Sequence, residues 1–269
     1  MLAFIVAMLL TPQPQVAERT VHAGGTDVAV RCLGARSSGQ PLVVLEAGGG
    51  NGLDMWSEVQ SPIAAFARVC AYDRPTLIRG TVGPRAPSAP ADFVRTLHEV
   101  LLALGEPPPY VMVGHSIGGM IVRLYATNYP TELTGMVLVD SAHEDQLERF
   151  DAIDPDTARE LRAPASDEAF DLVAFSAALK ARRWQSTIPL AVLTHGRTPP
   201  APPGREAQTS ALESTWLDLQ RELATRSPAA THIIATRSGH YIQKDEPTLV
   251  IDAVHRVVSD AQRAAKPRR

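Results

Sequence analysis

The sequence predicts an α/β protein: a mostly parallel, doubly wound sheet with helices on both faces. Three observations carry this. Short strand-like runs alternate with helix-like stretches along nearly the whole chain. Runs such as Pro41–Leu45 are continuously apolar, as a strand covered on both faces requires. The chain of 269 residues is 45% hydrophobic, enough to bury a large core of Val, Leu, Ile and Ala.

The elements follow in order. Residues 19–22, 28–33, 42–46 and 69–72 read as strands, and 53–66 has helical spacing between the last two. Residues 91–104 place Phe93, Leu97, Val100, Leu101 and Leu104 on one helix face. Pro107-Pro108-Pro109 stops that helix and leads into a strand at 110–113. A helix at 117–128 and strands at 135–139 and 189–193 come next. Residues 207–225 space Leu212, Trp216, Leu219 and Leu223 on a helix face. A strand at 232–236 and a helix at 247–261 close the pattern.

Residues 144–186 interrupt the alternation with two helix-like stretches, 155–161 and 167–182. This reads as a helical cap inserted in one domain spanning 18–262. The proline-rich pieces 83–90 and 198–204 read as surface loops, and 263–269 as a solvated basic tail. Phe150, Phe170, Leu172, Phe175 and Trp184 either line an apolar pocket or pack the cap's own core.

A net charge of −3 and a pI near 6.2 argue against a nucleic-acid partner. Leu2–Leu10 is an apolar run of nine residues, too short for a stable membrane span, which needs about 20. It fits the core of a signal peptide, with Ala17 before a cleavage site, although no Lys or Arg precedes it. Export to the periplasm or medium is therefore expected, against an apolar N-terminal arm as the alternative. Cys32 and Cys70 show no CxxC spacing and read as buried free thiols; export would permit a disulfide instead.

The chemistry centres on Gly114-His115-Ser116-Ile117-Gly118, which fits G-x-S-x-G between a strand and a helix. In a nucleophile elbow the serine takes a strained strand-to-helix turn, and its hydroxyl projects at the positive end of the helix. Serine needs a base within hydrogen-bond reach, and the base needs an acid that holds its tautomer. Of eight histidines, His240 in "TRSGHYIQKDEP" follows the last strand and sits beside a glycine, so it is the expected base. His22, His98, His232 and His255 read as structural or solvated.

The acid is expected at Asp140, at the tip of the strand in "VLVDSAHED", with Glu144, Asp145 and Glu206 as alternatives. Adjacent parallel strands end about 5 Å apart, so an acid there can reach the same histidine. "LEAGGGNG" provides side-chain-free backbone, and the amides of Gly49 and Ile117 are expected to form an oxyanion hole. The same run lacks the G-K-[ST] ending and G-x-G-x-x-G spacing of phosphate loops. Gly48, His115, His143, Glu144 and Trp184 are weaker candidates for substrate contact.

On "LEAGGG", "YDRP", "VGHSIGG", "LVDSAHED" and "SGHYIQKDEP", in the order nucleophile, acid, histidine, residues 18–262 resemble the serine esterase-like branch of the α/β-hydrolase fold superfamily. The resemblance implies an eight-stranded sheet with an antiparallel strand among the early ones. It implies no metal and no organic cofactor. It also implies a small-molecule ester or lactone substrate cleaved through an acyl-enzyme on Ser116. A peptidase, amidase or acyltransferase of the same fold, or a non-catalytic ligand-binding protein, would carry the same motifs. "YDRPTLIRG" departs from the usual glycine-rich loop, and no carboxylate follows the strand at 189–193. A serine nucleophile argues against the aspartate-using dehalogenase and epoxide-hydrolase branches.

Overall fold

A computed structural model describes residues 18–75, 88–163 and 170–265. The leader-like segment 1–17, much of the loop at 83–90 and the end of the basic tail lie outside the described residues.

Eight strands form one sheet: β1 (Glu18–Ala23), β2 (Thr26–Leu33), β3 (Leu42–Glu46), β4 (Val69–Tyr72), β5 (Tyr110–His115), β6 (Leu133–Val139), β7 (Leu190–His195) and β8 (Ala230–Ala235). Their spatial order is β1-β2-β4-β3-β5-β6-β7-β8. Only β2 runs against the rest: it pairs antiparallel with β1 and β4, while the pairs from β4 through β8 are parallel.

The helices are α1 (Ser57–Ala64), α2 (Pro90–Leu104), α3 (Ile117–Asn128), α4 (Gln146–Asp151), α5 (Pro155–Arg162), α6 (Leu172–Ala181), α7 (Glu206–Ala224), α8 (Ile242–Asp245) and α9 (Pro247–Ala265). The period of two along the central strands divides the core. Leu42, Val44, Met112, Met136, Leu138 and Val192 face one layer, with α2, α3 and α6. Val43, Leu45, Val111, Val113, Val137 and Leu193 face the other, with α1 and α9. Strands buried on both faces explain why their sequences read as unbroken apolar runs.

Some elements differ from the pattern read in the sequence. The helix expected over 53–66 begins as a 3₁₀ turn, Leu53–Trp56, because Asp73 Oδ1 accepts the Leu53 amide at 2.7 Å and anchors its start. Among the described residues, the segment between β6 and β7 holds three helices rather than two. The extra one, α4, has six residues, too few for a periodic signal. α9 continues to Ala265 into the basic tail.

Cys32 and Cys70 are directly paired in register on β2 and β4, with Cα atoms 4.1 Å apart, and form a disulfide. This corrects the reading of two free thiols. Antiparallel pairing put the two side chains opposite each other, which spacing along the chain does not reveal.

Candidate active site

The chain order reverses between β3 and β5: β4 lies on one side of β3, and β5 on the other. A crevice forms outside the carboxyl ends of the strands at such a switch point. The loops after β3, β5, β6, β7 and β8 all open there.

Ser116 follows β5 directly and precedes α3. Its φ is 53° and its ψ −123°, a left-handed setting that costs a non-glycine residue strain. Its amide donates to Val139 O at 3.1 Å, and its carbonyl accepts from Gly119 and Ala142. Small neighbours make the turn possible. A Cβ on Gly118 would collide with the carbonyl oxygens of Glu46 and Ala47. One on Gly114 would come 2.7 Å from Gly118 O and Gly119 Cα.

The glycine loop after β3 packs against this turn. A Cβ on Gly48 would stand 3.3 Å from Ser116 Cβ, and one on Gly49 3.1 Å from Ile117 Cδ1. Ile117 opens α3, where helix geometry leaves the first amides without intrahelical partners. Buried Arg74 holds the loop from behind. It donates to Glu46 Oε1 (2.6 Å), Ala47 O (2.7 Å) and Gly48 O (2.7 Å), while the Tyr72 hydroxyl donates to Glu46 Oε2 (2.6 Å). "YDR" thus acts on the glycine loop through Arg74.

Asp140 stands at the tip of β6 with φ 45°, fully buried. Its Oδ2 accepts from His240 Nδ1 at 2.6 Å and from His195 Nδ1 at 2.7 Å. Its Oδ1 accepts from the His195 amide at 3.0 Å and Trp216 Nε1 at 2.9 Å. Burial opposes its charge, but the His195 and His240 hydrogen bonds prevail and hold the carboxyl well below the usual carboxylate range. Of the alternative acids, Glu206 opens α7, and Glu144 and Asp145 are paired with cations described below.

His240 lies between β8 and α8. Its ring centroid is 4.6 Å from that of His115, the residue before Ser116. His115 Nε2 donates to the His240 carbonyl at 2.8 Å and so ties the histidine loop to the serine turn. Burial, with the neighbouring His240, pushes the His115 imidazole down to about 3, so it is neutral. It is enclosed in the protein and supports the turn rather than lining a pocket.

Three weaker candidates are not brought to Ser116 as substrate contacts. Glu144 is buried between Arg123 Nη1 (2.5 Å) and Arg226 Nη2 (2.7 Å), so both carboxylate oxygens are engaged. His143 is fully buried, and its Nδ1 accepts the Asp145 amide at 3.0 Å. Trp184 packs in the core next to Leu133 and Ile188, at the opposite ends of β6 and β7 from Asp140 and His195. A six- or seven-residue strand separates those ends by about 20 Å. Phe170 and Phe175 stack on each other at 4.1 Å and meet Phe93 of α2, so they pack the core as well.

His195 and Glu213 are not among the residues the sequence singles out, and Trp216 reads there only as part of a helix's apolar face. The available signal was position: His195 ends β7, where the carboxylate was sought.

Among the described residues, two clusters have metal-ligand residue types, Asp140 with His195 and His240, and His143 with Asp145 and Glu222. In the first, protons of 2.6–2.7 Å hydrogen bonds fill the space between the groups. In the second, Asp145 is paired with Arg183 (2.9 Å) and Lys180 (3.1 Å), and Glu222 with Arg149 (2.6 Å). The carboxylates of both clusters are thus engaged by protein groups, while the buried His143 Nε2 makes no hydrogen bond to the described residues. Among the described residues, no helix is long and apolar enough to cross a membrane.

A strained serine turn at the switch point, an aspartate–histidine pair beside it and a mostly parallel eight-stranded sheet together define the α/β-hydrolase class. A sequence model of the alpha/beta hydrolase fold matches residues 41–256, and the chain belongs to that family. It is 27% identical to the uncharacterized protein YqjL of Bacillus subtilis (strain 168) over 237 residues, covering 86% of this chain and 89% of YqjL. A thermophilic esterase from Thermogutta terrifontis superposes with a TM-score of 0.64 at 15% identity, over 91% of this chain and 99% of that one. The enol-lactonase from Burkholderia xenovorans LB400 gives 0.64 at 16% identity, over 90% and 100%. At these identities the two structures speak for the fold.

Proposed function

We propose that this protein is a serine hydrolase of carboxylic esters, lactones included. The observation that carries the reading is the His240–Asp140 hydrogen bond beside a serine in the strained elbow conformation. His240 Nδ1 is committed to Asp140, which leaves Nε2 free of that bond to accept the Ser116 proton. Ser116 Oγ bonds to the acyl carbon, and the oxyanion takes hydrogen bonds from the Gly49 and Ile117 amides. His240 then gives its proton to the leaving alcohol as the C–O bond breaks. Water, deprotonated by the same histidine, releases the acid from Ser116.

The names of the esterase and enol-lactonase that share the fold accord with this chemistry. A peptidase of this fold would need acidic groups for a substrate amine. Glu144, Asp145 and Glu148 are instead neutralised by Arg123, Arg226, Arg183 and Lys180. The decisive experiment is hydrolysis of p-nitrophenyl esters from acetyl to dodecanoyl, with Ser116→Ala alongside. Turnover that falls about 10⁴–10⁶-fold in the variant is expected. A folded wild-type protein inert to every ester and to a fluorophosphonate probe would overturn the reading in favour of a binding protein.

Export is part of the proposal. The Cys32–Cys70 disulfide suits an oxidising compartment, and Leu2–Leu10 suits a signal peptide. N-terminal sequencing of protein from the expressing cells' exterior tests it; finding the chain only in the cytosol, with both thiols reduced, would contradict it.

A further inference from the structure

The place at the end of β7 is taken by a histidine held between two carboxylates. His195 Nδ1 lies 2.7 Å from Asp140 Oδ2, and its Nε2 lies 2.8 Å from Glu213 Oε2 on α7. Ionised carboxylates only accept hydrogen bonds, and a neutral imidazole has one N–H to donate. Satisfying both acceptors takes two ring protons, which makes the ring a cation. The His195 amide also donates to Asp140 Oδ1, so backbone and ring hold the same carboxylate, and the ring cannot swing away without losing its bonds to both Asp140 and Glu213.

From this geometry we infer that His195 is a positioning residue: an imidazolium, clamped by Glu213, that shares Asp140 Oδ2 with His240 and cancels part of the charge Asp140 presents to it. The inference rests on the reading of His240 as the base. An uncompensated buried aspartate holds a proton strongly on an imidazole bonded to it, and a protonated base cannot accept the Ser116 proton. A second cation on the same oxygen weakens that hold while leaving the hydrogen bond that orients His240 in place.

The groups around His195 agree with this. Asp140 faces it from β6, Glu213 from α7 and His240 across Asp140 from the β8 loop. The Trp216 ring of α7 lies 6.1 Å away, centroid to centroid. On β8, His232 is turned to Thr194 through a 2.8 Å bond. Burial works against a charge on His195, but the bonds to Asp140 and Glu213 prevail and raise it to about 10.

The test begins with the wild-type chain labelled with ¹⁵N-histidine. His195 is expected to give the signature of a doubly protonated ring from pH 6 to 9. A neutral-tautomer signature at pH 8 overturns the inference whatever the enzyme does. Glu213→Gln should bring the His195 titration down by at least about one pH unit; no change there also overturns it. His195→Asn keeps a donor for Asp140 without the charge. Its acid limb of kcat/KM should move up by about one pH unit, a shift that a purely structural role would not produce. An unmoved limb with unchanged fold sinks the electrostatic role. If esters are not hydrolysed at all while the doubly protonated ring and the Glu213→Gln shift are seen, the esterase reading fails and the charge assignment on His195 stands.

Discussion

His240 and Asp140, a hundred residues apart in the chain, meet through a 2.6 Å bond from Nδ1 to Oδ2 at the carboxyl ends of β6 and β8. Between their strands lies β7, so the pair spans a neighbour, and the loop after β8 has to fold back over His195 to make it.

Asp140→Asn should lower kcat on ester substrates on the order of 10⁴-fold, because an amide presents an N–H where His240 needs an acceptor. Steady-state kinetics with circular dichroism checks this. Near-wild-type turnover would move the acid role to another carboxylate.

Folding stability should peak near pH 6.5. Burial pushes His115 and His143 down to about 3, so below 6.5 the unfolded chain binds protons that the native state refuses, and stability falls as pH drops. His195 is raised to about 10, so its contribution is complete below 6.5 and is lost as pH rises toward 10. Each group contributes a slope of up to about 1.4 kcal/mol per pH unit. Urea unfolding from pH 4 to 10 measures this. His143→Gln should flatten the acid side and His195→Asn the alkaline side.

Glu144→Gln should cost about 3–5 kcal/mol, since Arg123 and Arg226 would lose the anion they share in a buried site. Burial disfavours the Glu144 charge, but Arg123 overcomes it and holds the carboxyl at about 2. Its stabilisation is therefore full above about pH 4.5 and lost as pH falls toward 2. Chemical denaturation of the variant at pH 7 gives the cost; a loss below 1 kcal/mol would mean that the arginines find other partners.

Opening the Cys32–Cys70 disulfide should destabilise the fold by about 4 kcal/mol, the loop-entropy value for the separation of 38 residues. Denaturation with and without reductant, and of the Cys32→Ser/Cys70→Ser double variant, reads this out. Coincident midpoints would contradict it, as would free thiols in unreduced protein.

What was legible in the sequence was local. Periodicity marked the eight strands and the long helices, because burial of a strand or helix face is written into residues two to four apart. The glycines around Ser116 marked the elbow, because its close backbone approaches admit nothing larger. Asp140 and His240 were legible as strand-end residues of suitable chemistry. Short elements such as α4 and α8 left no periodic trace.

The tertiary structure alone decided the partnerships. Asp140 meets His195 and Trp216 as well as His240. Glu144 turns inward to two arginines, Trp184 goes to the far end of the sheet, and Cys32 faces Cys70. Each depends on strand order and register. These bring together groups dozens of residues apart, and a charge or thiol carries no periodic mark of the partner it will find.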